Sequence, residues 1–125
     1  MFFMLTFLIT QVLAVDTPAS IRKQISQSKY QAAFAASNSL ITQKGILDAD
    51  NILFYLRGYS NVHLGKFDDG ISDLSRFLRS STQIDPKDKK SAYSLRGTAF
   101  LKIGNLEDAQ NDATNSKDNQ LLKQI

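Results

Sequence analysis

The side chains able to do chemistry in this chain are few and scattered. There is one histidine, His63, and no cysteine, which excludes thiolate catalysis, a disulfide framework, thiolate zinc sites and a multi-histidine metal centre. Adjacent carboxylates occur as Asp68-Asp69 and Glu107-Asp108. Paired carboxylates can work as general acid and base, but these doublets recur at the same place in two similar segments, where a helix start explains them through the macrodipole. Gly58 and Gly65 make no phosphate loop, since neither follows a strand or precedes Gly-Lys-Ser/Thr. His63 has no nucleophile or second ligand at useful spacing. No catalytic residue, metal ligand or cofactor is therefore expected, and the chain reads as a binding protein rather than an enzyme.

Two charge pairs recur. Arg57 and Asp73 are 16 residues apart, and so are Arg96 and Asp112. If a tight turn lies midway, antiparallel helices bring each Arg to the height of its Asp, predicting a bidentate structural pair; an Arg turned outward toward an acidic peptide is the rival reading. The elements that would position them come from a repeat: residues 55–74 overlay residues 94–113 at an offset of 39, with Leu56, Arg57, Gly58, Gly65, Asp69 and Asp73 recurring as Leu95, Arg96, Gly97, Gly104, Asp108 and Asp112. Within each unit, apolar residues at helical spacing run up to the glycine, and a second helix follows it. In the middle unit Asp50 is the expected N-cap, Gly65 the stop, and Phe67, Ile71, Leu74, Phe77 and Leu78 the second apolar series. Asp85-Pro86 is expected to close that unit, with a loop around residues 80–90 and the next helix starting near Ser91. The second helix of the last unit is weak by propensity, because of Asn111, Thr114, Asn115 and Ser116. A fainter first unit begins with Thr17 as cap and Pro18 at the first helical position, and Tyr30, Ala33, Phe34 and Leu40 align with Phe67, Gly70, Ile71 and Phe77 at an offset of 37.

These residues resemble the tetratricopeptide (TPR) repeat family, in the small residue, turn glycine, large apolar residue and small residue series Gly58, Gly65, Phe67, Gly70 and again Gly97, Gly104, Leu106, Ala109. The resemblance implies an all-α array of helical hairpins, a right-handed α-solenoid, with units at about 17–44, 50–86 and 90–116 and with 117–125 as a tail or the start of a further helix. Asn61 departs from the pattern, standing where the family generally keeps a large apolar residue. Closer still, an apolar leader followed directly by such units is similar to the amino-terminal part of lumenal TPR and J-domain co-chaperones of the endoplasmic reticulum, which implies binding of unfolded client polypeptide. By the same analogy the inner face is the stripe Ile52, Tyr55, Tyr59 and Val62, continued by Ser91, Ser94, Thr98 and Leu101. Its alternative is plain packing against the neighbouring unit. The family's clamp for acidic carboxy termini is not matched, as Tyr55, Tyr59, Ser91 and Ser94 occupy its positions.

A length of 125 residues and 13.9 kDa argues for one domain or part of one, and 42% apolar with 22% charged residues is ordinary globular usage. Fifteen Lys and Arg against 12 Asp and Glu give a net charge of +3, too little for a nucleic-acid footprint. The basic group Lys87, Lys89, Lys90, Arg76 and Arg79 is broken by Asp85 and Asp88 and reads as a solvated loop. Residues 1–14 carry no charged side chain and are too short to span a bilayer, which needs roughly 20 residues, so they are expected to be a signal peptide cleaved after Ala14. The expected location is the endoplasmic reticulum lumen or the exterior, with the cytoplasm as the alternative, and contact with a membrane only if the apolar segment stays uncleaved. The expected partner is a protein or unfolded peptide, either many clients or, in an adaptor, one docked protein.

Overall fold

The computed structural model describes residues 15–80 and 83–125; the segment expected to be a signal peptide lies outside them. The described residues form seven helices and no strand: α1 (Pro18–Ser26), α2 (Tyr30–Lys44), α3 (Asn51–His63), α4 (Phe67–Arg79), α5 (Pro86–Lys102), α6 (Leu106–Ser116) and α7 (Asn119–Gln124). Each packs on the next, and α1 also meets α3, α3 meets α5, and α5 meets α7. Among the described residues the even-numbered helices make no backbone contact with one another.

Local chemistry sets the helix starts. The Thr17 hydroxyl accepts from Ser20 N–H at 3.1 Å while Ser20 Oγ accepts from Thr17 N–H at 2.9 Å, a reciprocal capping box. Asn105 and Asp118 cap α6 and α7 through side-chain oxygens that accept from Asp108 N–H and Leu121 N–H. Asp50 stands at the N-cap of α3 without a side-chain cap bond; its carboxylate lies 3.6 Å from Lys44 Nζ instead. Asp85-Pro86 does not close a segment but opens one. Asp85 accepts from Lys87 N–H at 2.8 Å and Pro86 takes the first helical position, so α5 starts before Ser91 and carries Lys87, Lys89 and Lys90 in its first turns. The weak propensity of α6 is overridden by burial of Ala109, Asp112, Ala113 and Ser116 against its neighbours.

One turn is used four times. After α3, Gly65 N–H bonds to Val62 C=O and Lys66 N–H to Asn61 C=O, with Gly65 at φ +80°. Gly104 repeats this after α5, and Ser28 and Lys117 repeat it after α1 and α6 at φ 59° and 54°. This is the Schellman closure, which satisfies the last carbonyls of a helix and needs a left-handed residue. The middle and last hairpins supply glycine at this turn, and the first makes the same bonds with Ser28.

Glycine also sets the closest helix approach. A Cβ on Gly58 would fall 2.8 Å from Leu74 Cγ, and one on Gly70 would fall 2.7 Å from Val62 Cγ2, so α3 and α4 meet almost backbone to backbone. In the last hairpin a Cβ on Gly97 would fall 2.9 Å from Leu121 Cδ2, which places α7 over α5. The core built on these contacts centres on Ile21, Ile41, Leu53, Leu56 and Leu74, each at most 2% exposed.

A left-handed backbone costs a residue with Cβ roughly 1 kcal/mol or more relative to glycine. Ser28→Gly and Lys117→Gly should each raise stability by about 1 kcal/mol in urea melts, and Gly65→Ala should lower it by about as much.

Candidate functional site

The recurring Arg and Asp residues are brought together across their hairpins. Arg57 Nε donates to Asp73 Oδ2 at 2.8 Å and Nη2 to Oδ1 at 2.7 Å, while Nη1 donates to Asn38 Oδ1 at 3.0 Å. One guanidinium thus joins α2, α3 and α4. Arg96 copies it, donating to both oxygens of Asp112 at 2.8 and 2.7 Å and to Ser75 Oγ at 3.1 Å, so joining α4, α5 and α6. Hydrogen bonding to the aspartate, which outweighs desolvation, holds each guanidinium above its ordinary pKa. The carboxylates are nearly sealed, with the Asp73 side chain 7% and the Asp112 side chain 3% exposed. A fork of two parallel donors is the geometry that offsets burial of an anion.

The stripe along α3 is divided by what covers it. Tyr55 and Val62 are buried, Val62 against Gly70 and Tyr55 between α1 and α5. The Tyr55 hydroxyl donates to Ser91 Oγ at 2.9 Å, its ring lies 5.1 Å from Phe77, and Arg22 sits 5.8 Å above it. Arg22 is held there by Asp88, at 2.6 and 3.2 Å, a bridge between residues 66 apart that no sequence pattern announces. Ile52 and Tyr59 stay half-exposed on either side of this cover. In the last unit Ser94 bonds to the Asp118 carboxylate that caps α7, Thr98 donates to the Ser94 carbonyl, and Leu101 is half-exposed.

Two open grooves result on the odd-numbered helices. Between α1 and α3, Arg22, Ile25, Ser28, Tyr30 and Tyr59 line a groove of about 410 Å³. Tyr30, Tyr55 and Tyr59 are its aromatic lining, and the exposed His63, outside that lining, stacks beside them. His63 stacks on Tyr30 at 4.3 Å and on Tyr59 at 4.9 Å, and Tyr59 meets Tyr55 edge-on at 5.9 Å. Between α3 and α5, Ile52, Phe77, Ile84, Asp85 and Asp88 line a second groove of about 420 Å³. Sequence reasoning found Tyr59 and Ile52 but missed Arg22, Ile25 and Tyr30 as their companions, because helical spacing reports one helix at a time.

Partial burial beside the tyrosine rings pushes the His63 imidazole below the usual histidine range. Among the described residues no group of three or more His, Asp or Glu is placed to hold a metal ion, and no helix is long and apolar enough to cross a membrane. No protein-family model, curated protein or solved structure matches the chain.

Removing one partner of a sealed pair strands the other. Arg57→Met should cost about 3 kcal/mol, whereas Arg57→Met with Asp73→Leu should recover only part of that loss, because the buried Asn61 amide loses its acceptor, measured by urea unfolding of the full cycle. Because folding lowers the His63 pKa, the unfolded chain takes up the proton first. The contribution of His63 is therefore intact above about pH 6.5 and is lost as pH falls through the lower folded value. The melting temperature should drop on acidification to pH 5.5 by more in the parent than in His63→Gln, as read by circular dichroism.

Proposed function

We propose that this protein is a non-enzymatic, TPR-like helical-repeat module that binds extended or unfolded polypeptide along its odd-numbered helices. The observation that carries this reading is the groove between α1 and α3, where the half-exposed rings of Tyr30 and Tyr59 sit beside Ile25 and the paired Arg22. Tyrosine gives large contact area with little side-chain entropy to lose, and such residues dominate binding energy where they are partly desolvated beforehand. The array reading draws support from the repeated turn, from the contacts of α1 with α3 and α3 with α5, and from the Arg-centred bond set that recurs one unit later. In a lumenal co-chaperone, the apolar leader would deliver the chain to the compartment where unfolded clients arise, and the groove would hold their apolar stretches.

A second reading rests on a different observation. Ile46 and Leu47, in the connection between α2 and α3, are 57% and 91% exposed, and an adaptor could seat them on one folded partner.

The test is anisotropy of a labelled, reduced and carboxymethylated model protein titrated with the purified chain. Binding should be saturable, and Tyr59→Ala should weaken it about tenfold or more with the melting temperature little changed. Equal affinity for parent and Tyr59→Ala overturns the groove assignment. Loss of binding in Leu47→Ser alone transfers the function to the exposed connection. Intact mass after expression in a eukaryotic secretory system bears on the compartment: a chain beginning at Val15 and retained in the lumen fits the co-chaperone, and one beginning at Met1 in the cytosol fits the adaptor.

A further inference from the structure

The cations that the sequence scatters around Asp85 and Asp88 are gathered by the fold at one end of the hairpins, and the two acids between them are engaged elsewhere. Asp85 caps α5 by accepting from Lys87 N–H at 2.8 Å, and Asp88 is held by Arg22 at 2.6 and 3.2 Å. Two grooves open at this end, each between the start of an odd-numbered helix and the end of the helix that follows it. One, of about 400 Å³, is lined by Leu47, Asn51, Phe54, Arg76 and Arg79; the other, of about 320 Å³, by Pro86, Lys89, Lys90, Tyr93 and Lys117. At the offset of 39, Leu47, Asn51 and Phe54 coincide with Pro86, Lys90 and Tyr93, so the second groove repeats the first. The bond from the Tyr55 hydroxyl to Ser91 Oγ sets the starts of α3 and α5 side by side, and the two grooves share one edge.

Among the described residues, none of Arg76, Arg79, Lys89, Lys90 and Lys117 forms an ion pair. Nearby carboxylates are mostly committed: Asp50 lies 3.6 Å from Lys44, and Asp118 accepts from Ser94, which leaves Asp48 in the 45–50 connection. At the opposite end of the same two hairpins Asp68, Asp69, Glu107 and Asp108 outnumber Lys66 and Lys102, since acids favour the first turns of α4 and α6. Beside the first groove an apolar pair protrudes. Ile46 and Leu47 are 57% and 91% exposed, yet their connection is fixed: Arg76 Nη2 donates to the Ile46 carbonyl at 2.8 Å, and Ala49 N–H bonds to Gly45 C=O at 3.0 Å. Arg76 in turn lies over the Phe54 ring at 4.5 Å.

Five cations divided between two grooves do not converge on a single anion. A partner that meets them all must spread many anionic groups over a surface and offer an apolar layer to Leu47. We propose that this end of the α3–α4 and α5–α6 hairpins docks on an anionic lipid bilayer, the Arg and Lys side chains meeting the headgroups while Ile46 and Leu47 enter the interfacial layer. The surface shares no lining residue with the groove between α1 and α3 and does not rest on the function assigned there.

The experiment is co-sedimentation of the full chain with vesicles of phosphatidylcholine alone and of phosphatidylcholine with phosphatidylserine at about one part in three. Residues 1–14 carry no charged side chain and are common to every variant, so their contribution cancels in the ratio between the two vesicle types. At about 0.1 M salt the chain should partition onto the anionic vesicles about tenfold better or more, and the preference should shrink several-fold at about 0.5 M. Each Lys or Arg near an anionic surface is worth about fivefold, so Arg79→Gln with Lys89→Gln and Lys90→Gln should remove most of the preference. All three side chains are exposed, and the melting temperature should hold. Leu47→Ser should weaken binding to the anionic vesicles several-fold, whereas Lys66→Gln with Lys102→Gln, at the other end, should change it little. Equal partitioning onto both vesicle types overturns the proposal. So does an equal loss in the Lys66 and Lys102 variant, which reduces the effect to net charge. If polyglutamate binds with the same dependence on Arg79, Lys89 and Lys90 while Leu47→Ser leaves vesicle binding unchanged, the surface belongs to an acidic protein and not to a membrane.

Discussion

The fold depends on how a buried aspartate is paired. Asp73 and Asp112 sit inside their hairpins, and each is held by both arms of one arginine. The third arm of that arginine reaches back to the preceding unit, to Asn38 in one case and Ser75 in the other. An ion pair inside a hairpin would fix only two helices. Because the guanidinium has donors on three sides in a rigid plane, it fixes the spacing of successive units as well, which lysine with a single ammonium cannot reproduce.

Around this constant element the packing is exchanged between units rather than copied. In the middle unit Gly58 faces Leu74, a small residue on the first helix against a large one on the second. At the matching positions of the first unit, 37 residues earlier, Ile21 and Ser37 reverse the order, and both are fully buried. The first-unit pair carries two more side-chain heavy atoms than Gly58 with Leu74, so volume as well as residue type differs between the two hairpins. The first unit has no Arg-centred pair, since Ser20 and Ala36 occupy its register positions. Its place is tied instead by the capping box at Thr17 and by Arg22 reaching Asp88 across the face of Tyr55. That bridge roofs the centre of α3 and leaves one groove on each side.

Several features were legible in the residues alone. The offset of 39 fixed the duplicated hairpin, the glycines marked two turns, and the spacing of 16 paired each Arg with its own Asp, since these follow from helical geometry within one hairpin. Thr17 and Pro18 announced the first helix by local capping chemistry. Asp85-Pro86 carried the same signal as a helix start, yet a proline also marks the end of what precedes it, and the pattern on either side did not decide between the two.

Tertiary structure decided the rest, wherever a property depended on residues of different helices meeting. Periodicity identified the aromatic stripe of α3 but not that Tyr55 is covered and Tyr59 open, because the cover comes from Arg22 and Asp88 on two other helices. The left-handed turns at Ser28 and Lys117 have no glycine to betray them and are imposed by the helices they join. Asn61 stands out in the sequence as a polar residue at an apolar position. Only packing shows that one end of its amide serves Asp73 while the other is buried without a hydrogen-bond partner. Sequence thus determined the hairpins and their internal charge pairs, which are local in the chain; the exposed surfaces available to a partner are non-local, and the assembled helices set them.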